Sequence, residues 1–280
     1  MAARNGVEYL SGLQDQRAIW VNGEAVSDVT SHPAFKGSIA GMAGYFDWQH
    51  KYSDSCLMET EDGVCNVSHL IPRSREDLAT RHTGLTQMAR YSVGMLGRTP
   101  DYVNVTFAGF AGQPSLWRQA GNEEGHDNLC AFQREIAARD LSLTHTIVHP
   151  IVDKRFPDYE GVNKQLALRK VGETSDAIIV SGARSLATLG PFADELAVYP
   201  AHPVPLTIEL WASDDGITWA PADPDRPVVH EGGCEAEFLE LPDGRLLSVV
   251  RKEGPEGGWG SDLGIAPAGD VARWTTRADP

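Results

Sequence analysis

The sequence predicts an α+β chain: a helical first half, then a stretch of β-strands, then a tail rich in β-hairpins. Three observations predict it. Apolar residues recur at helical spacing through roughly the first 140 positions, the period shifts to that of strands at Leu141, and turn-forming residues crowd the segment after Pro205. The expected domains follow those shifts, with 1–140 helical, 141–205 a partial middle β domain, and 206–280 a separate hairpin-bearing segment.

In chain order, Ala18-Ile19-Trp20-Val21 and Glu24-Ala25-Val26 flank Asn22-Gly23, and an Asn-Gly pair between apolar runs specifies a two-residue hairpin because both residues tolerate positive φ. Ser31-His32-Pro33 opens a helix with Phe35, Ile39, Met42 and Phe46 on one face. Gly37, Gly41 and Gly44 lower its propensity and leave room for a neighbouring helix. Residues 53–72 read as irregular. Ser74 caps the next helix with Asp77 three residues on, and Leu78, Leu85, Met88 and Leu96 carry it to a stop at Gly97. Thr99 caps the following helix with Pro100 at its first position. The stretch Gly97-Arg98-Thr99-Pro100-Asp101-Tyr102 thus sets a guanidinium and a phenol on one inter-helix corner. A further helix crosses Glu124 to Arg139 on Leu129, Phe132 and Ile136.

Strand-like patterning begins at Leu143, His145, Ile147 and Val148, which Pro150 ends. Ala177 to Val180 forms a second strand closed by Ser181-Gly182, and Leu196 to Tyr199 a third before Pro200. Four of the seven tryptophans (Trp211, Trp219, Trp259 and Trp274) fall after residue 205, where 15 acidic residues face 6 basic ones. That change of texture marks a different module. Its hairpins run through Ser213-Asp214-Asp215-Gly216 and through Pro242-Asp243-Gly244-Arg245.

Composition narrows the function. A net charge of −15 argues against nucleic acid and anionic membrane as partners, both of which require clustered Lys and Arg. No window reaches the ~18 apolar residues of a membrane span, and MAARNGVEYL lacks the apolar run of a signal peptide, so a cytoplasmic protein is expected. Cys56, Cys65, Cys130 and Cys234 show no CxxC or CxxH spacing, which predicts reduced free thiols and no metal centre. Taken alone, Arg98 also reads as a cation completing a helix end, Tyr102 as a packing residue and His145 as a satisfied strand histidine.

Several strings in order carry a resemblance. They are Asp28-Val29-Thr30-Ser31-His32-Pro33-Ala34-Phe35, Ile71-Pro72-Arg73, Gly97 to Tyr102, His145-Thr146-Ile147-Val148 with Pro150, and Val180-Ser181-Gly182-Ala183-Arg184 with Ala187-Thr188. From Gly6 to about Pro205 the chain resembles the large oxygenase component of 4-hydroxyphenylacetate 3-monooxygenase, a two-component flavin monooxygenase family built on the acyl-CoA dehydrogenase fold. The resemblance implies that Arg98, Tyr102 and His145 surround a substrate phenol. It implies that His145, Thr146, Ile147, Val148 and Thr188 contact the isoalloxazine of FAD, used as FADH2 from a separate flavin reductase, with O2 as co-substrate and a homo-oligomeric assembly. Ala177 stands where the family commonly has Gly. More of the β-barrel and a carboxy-terminal helical bundle are lacking, and residues 206–280 instead resemble sialidase-type β-propeller blades, with an Asp-box-like turn at Ser213 to Trp219 and a hairpin at Glu240 to Leu247. The chain then reads as a fusion of two modules.

Three alternatives stand beside a phenol ortho-hydroxylase. One is a catalytically inactive hybrid. Another is a carbohydrate-binding propeller fragment using Glu235 or Glu237 with Arg251. The third is a radical dehydratase of the same fold, which needs cysteine ligands where Arg98 and Tyr102 stand.

Overall fold

The computed structural model describes residues 3–113, 117–118, 122–156, 161–199, 207–215, 218–231, 233–253, 259–271 and 273–278. The chain divides into two compact units, Met1–Val148 with Arg184–Pro200 and His149–Ala183 with Ala201–Pro280.

In the first unit, Asn5 caps α1 (Gly6–Gly12) in a full capping box with Glu8. Asn22 (φ 53°) and Gly23 (φ 87°) turn the hairpin β1 (Ile19–Val21) and β2 (Glu24–Val26), as the Asn-Gly pair requires. The first expected helical face appears in α2 (Lys36–Lys51), where Ile39, Met42, Ala43 and Phe46 pack with Tyr9, Leu13, Val29, Leu189 and Ala193. Each large apolar side chain so buried contributes about 1.5–3 kcal/mol. Of the three glycines expected to admit a neighbour, Gly44 alone does so: a Cβ there would lie 2.2 Å from the Tyr91 hydroxyl oxygen, whereas Gly37 and Gly41 meet nothing within 4 Å.

Several expectations are corrected here. Residues 53–72 are not irregular but form a short helix α3 (Ser53–Cys56), a hairpin β3 (Leu57–Thr60) and β4 (Gly63–Asn66), and a 3₁₀ turn at Val67–His69. The Ser74 helix, α4 (Arg75–Tyr91), ends five residues before Leu96, because Gly94 at φ 74° turns its N–H back to the Ala89 carbonyl at 3.0 Å. Ser74 does cap α4 through the Asp77 N–H, but the Asp77 carboxylate accepts from the Arg73 N–H and not from Ser74. The next helix, α5 (Tyr102–Gly112), begins two residues later than Pro100, with Asp101 as its cap and no side-chain cap bond. The corner carrying Arg98 is therefore a connector over residues 92–101, and not the short link between a helix ending at Gly97 and one capped by Thr99 that the sequence implies.

Asn122 caps α6 (Glu123–Arg139), and Asp140 in the left-handed region (φ 49°) ends it. β5 (Leu143–Thr146) pairs in parallel with the strand Glu195–Val198, the last registered pair being Thr146 with Val198. Neither strand joins a larger sheet, and the described residues form no closed barrel. Val103, Ile136, Leu141 and Leu143 build the core where α5, α6 and β5 meet. Under it runs a polar network that ties distant segments together. Arg4 pairs with Asp194 (2.6 Å) and its N–H donates to Asp140 Oδ2 (2.9 Å), Gln49 donates to the same oxygen (2.7 Å), and Asn66 donates to Gln49 (2.7 Å).

The second unit contains the helix Gly161–Leu166 and an antiparallel hairpin, Arg169–Glu173 with Ile178–Ser181, turned out by Gly182 (φ 120°). Two small antiparallel pairs follow, Thr207–Glu209 with Val228–Glu231 and Trp211–Ala212 with Ala220–Pro221. The last sheet is a four-stranded antiparallel meander of Gly233–Glu240, Leu246–Glu253, Trp259–Ala266 and Thr275–Ala278. Both predicted tail hairpins are present; Gly216 of the first turn lies outside the described residues. Glu235 and Arg251 are both exposed and pair with each other at 2.8 Å.

Cys56, Cys65 and Cys130 are free thiols, and burial pushes Cys56 up to about 11 and Cys65 up to about 12; the Cys234 side chain lies outside the described part. Among the described residues no helix is long and apolar enough to cross a membrane, and no group of His, Cys, Asp and Glu could hold a metal ion.

Candidate active site

Tyr102 opens α5 and His145 is the third residue of β5, so the site forms where the first turn of a helix crosses a strand. The Tyr102 hydroxyl lies 2.8 Å from His145 Nδ1 and 3.2 Å from the Thr144 hydroxyl, and it accepts the His145 backbone N–H at 3.2 Å. Arg98, exposed on the connector, holds its guanidinium over the Tyr102 ring at 5.1 Å from the centroid, a cation–π contact. The three residues expected to share a site therefore meet. Burial, then the Arg98 charge, holds the His145 imidazole below its ordinary value. No hydrogen bond to His145 Nε2 forms among the described residues, which leaves that atom to an incoming group.

The other expected residues continue along the same strand. The Thr146 hydroxyl donates to the Ser185 carbonyl at 3.1 Å, and the Thr146 carbonyl accepts the Tyr199 N–H at 3.1 Å. Ile147 and Val148 leave the strand with apolar side chains 47% and 44% exposed. Thr188 is also exposed; its neighbour Leu189 donates its N–H to the Thr144 hydroxyl at 3.4 Å.

Two further residues belong here that sequence reasoning did not assign. Tyr199 stands edge-on to His145, ring centroids 5.9 Å apart at 83°, and burial, then Tyr102, raises its phenol. Its only signal was an aromatic residue just before Pro200. Thr144 lies one position before His145, and it lines a cavity of about 180 Å³ with Asp15, Arg17, Asp194, Glu195 and Leu196. A cavity of about 230 Å³ among the β3–β4 hairpin, His69 and α6 touches none of Arg98, Tyr102 and His145.

A family model described as 4-hydroxyphenylacetate 3-hydroxylase N terminal matches residues 5–209. The chain belongs to this family. Among the family's curated members it is similar to the 4-hydroxyphenylacetate 3-monooxygenase oxygenase component of Thermus thermophilus, 32% identical over 202 residues that make up 71% of this chain and 41% of that protein. A solved oxygenase component complexed with FAD and 4-hydroxyphenylacetate is similar at TM-score 0.65 and 31% identity, over 74% of this chain and 42% of that one. The chain thus shares the acyl-CoA dehydrogenase-like fold of the 4-hydroxyphenylacetate 3-hydroxylase family and spans about two fifths of the length of these relatives. An archaeal 4-hydroxybutyryl-CoA dehydratase from N. maritimus, 18% identical at TM-score 0.61, shares the fold. The sialidase-type resemblance expected for residues 206–280 finds no support among the relatives: the family match ends at residue 209, and the one four-stranded meander among the described residues beyond it, though of the size of a blade, closes no ring.

Proposed function

We propose that the chain is the site-bearing part of a reduced-flavin-dependent hydroxylase that adds oxygen ortho to the hydroxyl of a phenol, 4-hydroxyphenylacetate being the first substrate to test. The observation that carries this reading is the junction of Tyr102 and His145 at 2.8 Å, beside Arg98. FAD fits the chain on one side. Ile147 and Val148 offer exposed apolar contact to a flat ring and Thr188 an exposed hydroxyl, while Thr146 is buried, its hydroxyl engaged by the Ser185 carbonyl and its carbonyl by the Tyr199 N–H, so that it holds the strand in place. When bound, reduced FAD from a separate flavin reductase supplies two electrons, so that one atom of O2 enters the ring and the other leaves as water.

The chain's own residues prepare the phenol. Ionising a phenol of pKa near ~10 at pH 7 takes about 4 kcal/mol. A guanidinium at ~4 Å supplies about that at an effective dielectric near 20, but only about 1 kcal/mol in bulk water. Arg98 is exposed, so in this chain it works toward the lower figure until a substrate or a covering segment excludes water. His145 is neutral at pH 7 by its lowered value and accepts the phenolic proton at Nε2 while Nδ1–H is held by the Tyr102 oxygen. The opposite tautomer, with Tyr102 donating to Nδ1, presents Nε2–H to a phenolate.

The competing reading is a catalytically silent hybrid, favoured by the exposure of Arg98, whose charge water screens. One experiment separates them: the purified chain, FAD, a flavin reductase, NADH and 4-hydroxyphenylacetate under air, with the dihydroxy product followed by chromatography. Product formation that falls at least ~10-fold in both Arg98→Ala and His145→Ala supports the hydroxylase. No product, together with no retention of reduced FAD in stopped-flow oxidation, supports the silent hybrid. Homo-oligomerisation and the division at residues 140 and 205 belong to the same proposal, with light scattering and limited proteolysis as their checks.

A further inference from the structure

We propose that Arg184 is a positioning residue for this site: its guanidinium clasps the main-chain ends of the two strands that carry His145 and Tyr199, and so fixes the Tyr199 ring against the His145 imidazole. The inference rests on His145 belonging to the reacting site.

The parallel ladder stops where the site starts. Its last registered pair is Thr146 with Val198, and one more bond, Tyr199 N–H to the Thr146 carbonyl, closes it at 3.1 Å. The next carbonyls, of Ile147 and Tyr199, are taken up by Arg184, Nη1 donating to Ile147 at 2.9 Å and Nη2 to Tyr199 at 2.8 Å. A planar guanidinium presents both donors at fixed spacing, whereas an ammonium is a single point. The adjoining residue pins the same strand end, since Ser185 donates its N–H to the Val148 carbonyl at 2.9 Å and accepts from the Thr146 hydroxyl at 3.1 Å. Parallel pairs gain less per residue than antiparallel ones, so two charge-assisted bonds are a large share of what joins strands of four residues.

The consequence reaches the imidazole through Tyr199. Its ring meets His145 at 5.9 Å and 83°, and Tyr102 meets the same imidazole at 5.5 Å and 61° with its oxygen 2.8 Å from Nδ1. Two phenol rings therefore set one orientation of the imidazole, with Nε2 outward. A Tyr199 backbone free to swing would leave the Tyr102 bond as the sole restraint.

The test reads the His145 ring directly, by proton–carbon correlation spectra of the full chain with the His145 signals assigned by their loss in His145→Gln. Tyr199→Leu marks where those signals move once its ring current is gone. Arg184→Lys and Arg184→Met are expected to shift them at least half of that distance while the signals of His69 and His230 stay in place. If Arg184→Met fails to fold, the lysine variant decides. His145 signals unmoved in the folded variants would overturn the proposal, and so would equal movement at His69, which would make Arg184 a general brace. The readout needs neither flavin nor substrate, so a chain that hydroxylates nothing leaves this result standing, and an unmoved ring leaves the hydroxylase assay to be judged alone.

Discussion

The Tyr102 hydroxyl is shared among the His145 imidazole, the His145 backbone N–H and the Thr144 hydroxyl. Tyr102→Phe removes all three contacts while keeping the ring under Arg98, so urea denaturation is expected to show a loss of about 1 kcal/mol. Product formation should fall much further than that stability change, because the imidazole loses its hydrogen-bonded partner. For His145 the sign follows from its lowered value. The unfolded chain takes up a proton near ~6.5 and the folded chain only at lower pH, so stability is lost as pH falls below ~6.5 and the loss levels off once the folded imidazole has charged. An NMR titration of His145 is expected to show its midpoint below ~6.5, with the acid limb of hydroxylation at the same pH.

Among the elements, the close approach of α2 and α4 at Gly44 gives a clean test. Gly44→Ala drives a Cβ against the Tyr91 hydroxyl, which donates to the Gly41 carbonyl at 2.9 Å, and the overpacking is expected to cost about 1–3 kcal/mol in urea denaturation. Gly41→Ala, which meets nothing, should be neutral or stabilising by up to ~1 kcal/mol. The elements also show what the sequence could state. The period of Ile39, Met42 and Phe46 and the Asn22-Gly23 pair are local signals, and they hold. The end of α4 was missed because Val93 takes φ 56°, a conformation that no propensity assigns to valine, and Leu96 packs on the core from outside the helix. The β3–β4 hairpin escaped notice because Glu59, Glu61 and Asp62 hide its alternation. Arg98, Tyr102 and His145 were legible as a family string. Tyr199 and Arg184 were not legible as site residues, because their contacts depend on a parallel pairing across about fifty residues that no local pattern encodes.

At the scale of the first unit, Asp140 gathers the amino terminus, α2, α6 and His69 onto one carboxylate. Burial pushes it up, but His69, Gln49 and Arg4 reverse that and hold it below the usual range. Its contribution to stability is therefore complete above ~4 and is lost as pH falls through the lower folded value, so acid unfolding monitored by circular dichroism should begin below ~4. Asp140→Asn leaves the Arg4 guanidinium on Asp194 and on the residue-140 carbonyl but removes the charge that faces Gln49, His69 and the Arg4 N–H, and is expected to cost about 1–3 kcal/mol and to weaken that acid transition. The parallel pair of β5 and Glu195–Val198 has a different bearing on the molecule's life in a crowded solution. Leu196 and Val198 are 50% and 47% exposed on a strand with one neighbour, the kind of rim on which chains add to one another indefinitely. In sequence, Pro150 and Pro200 follow closely on the two strands, and a proline offers no amide hydrogen. Any foreign segment zipping onto this rim runs out of partners after about four residues, too short a template for fibril growth.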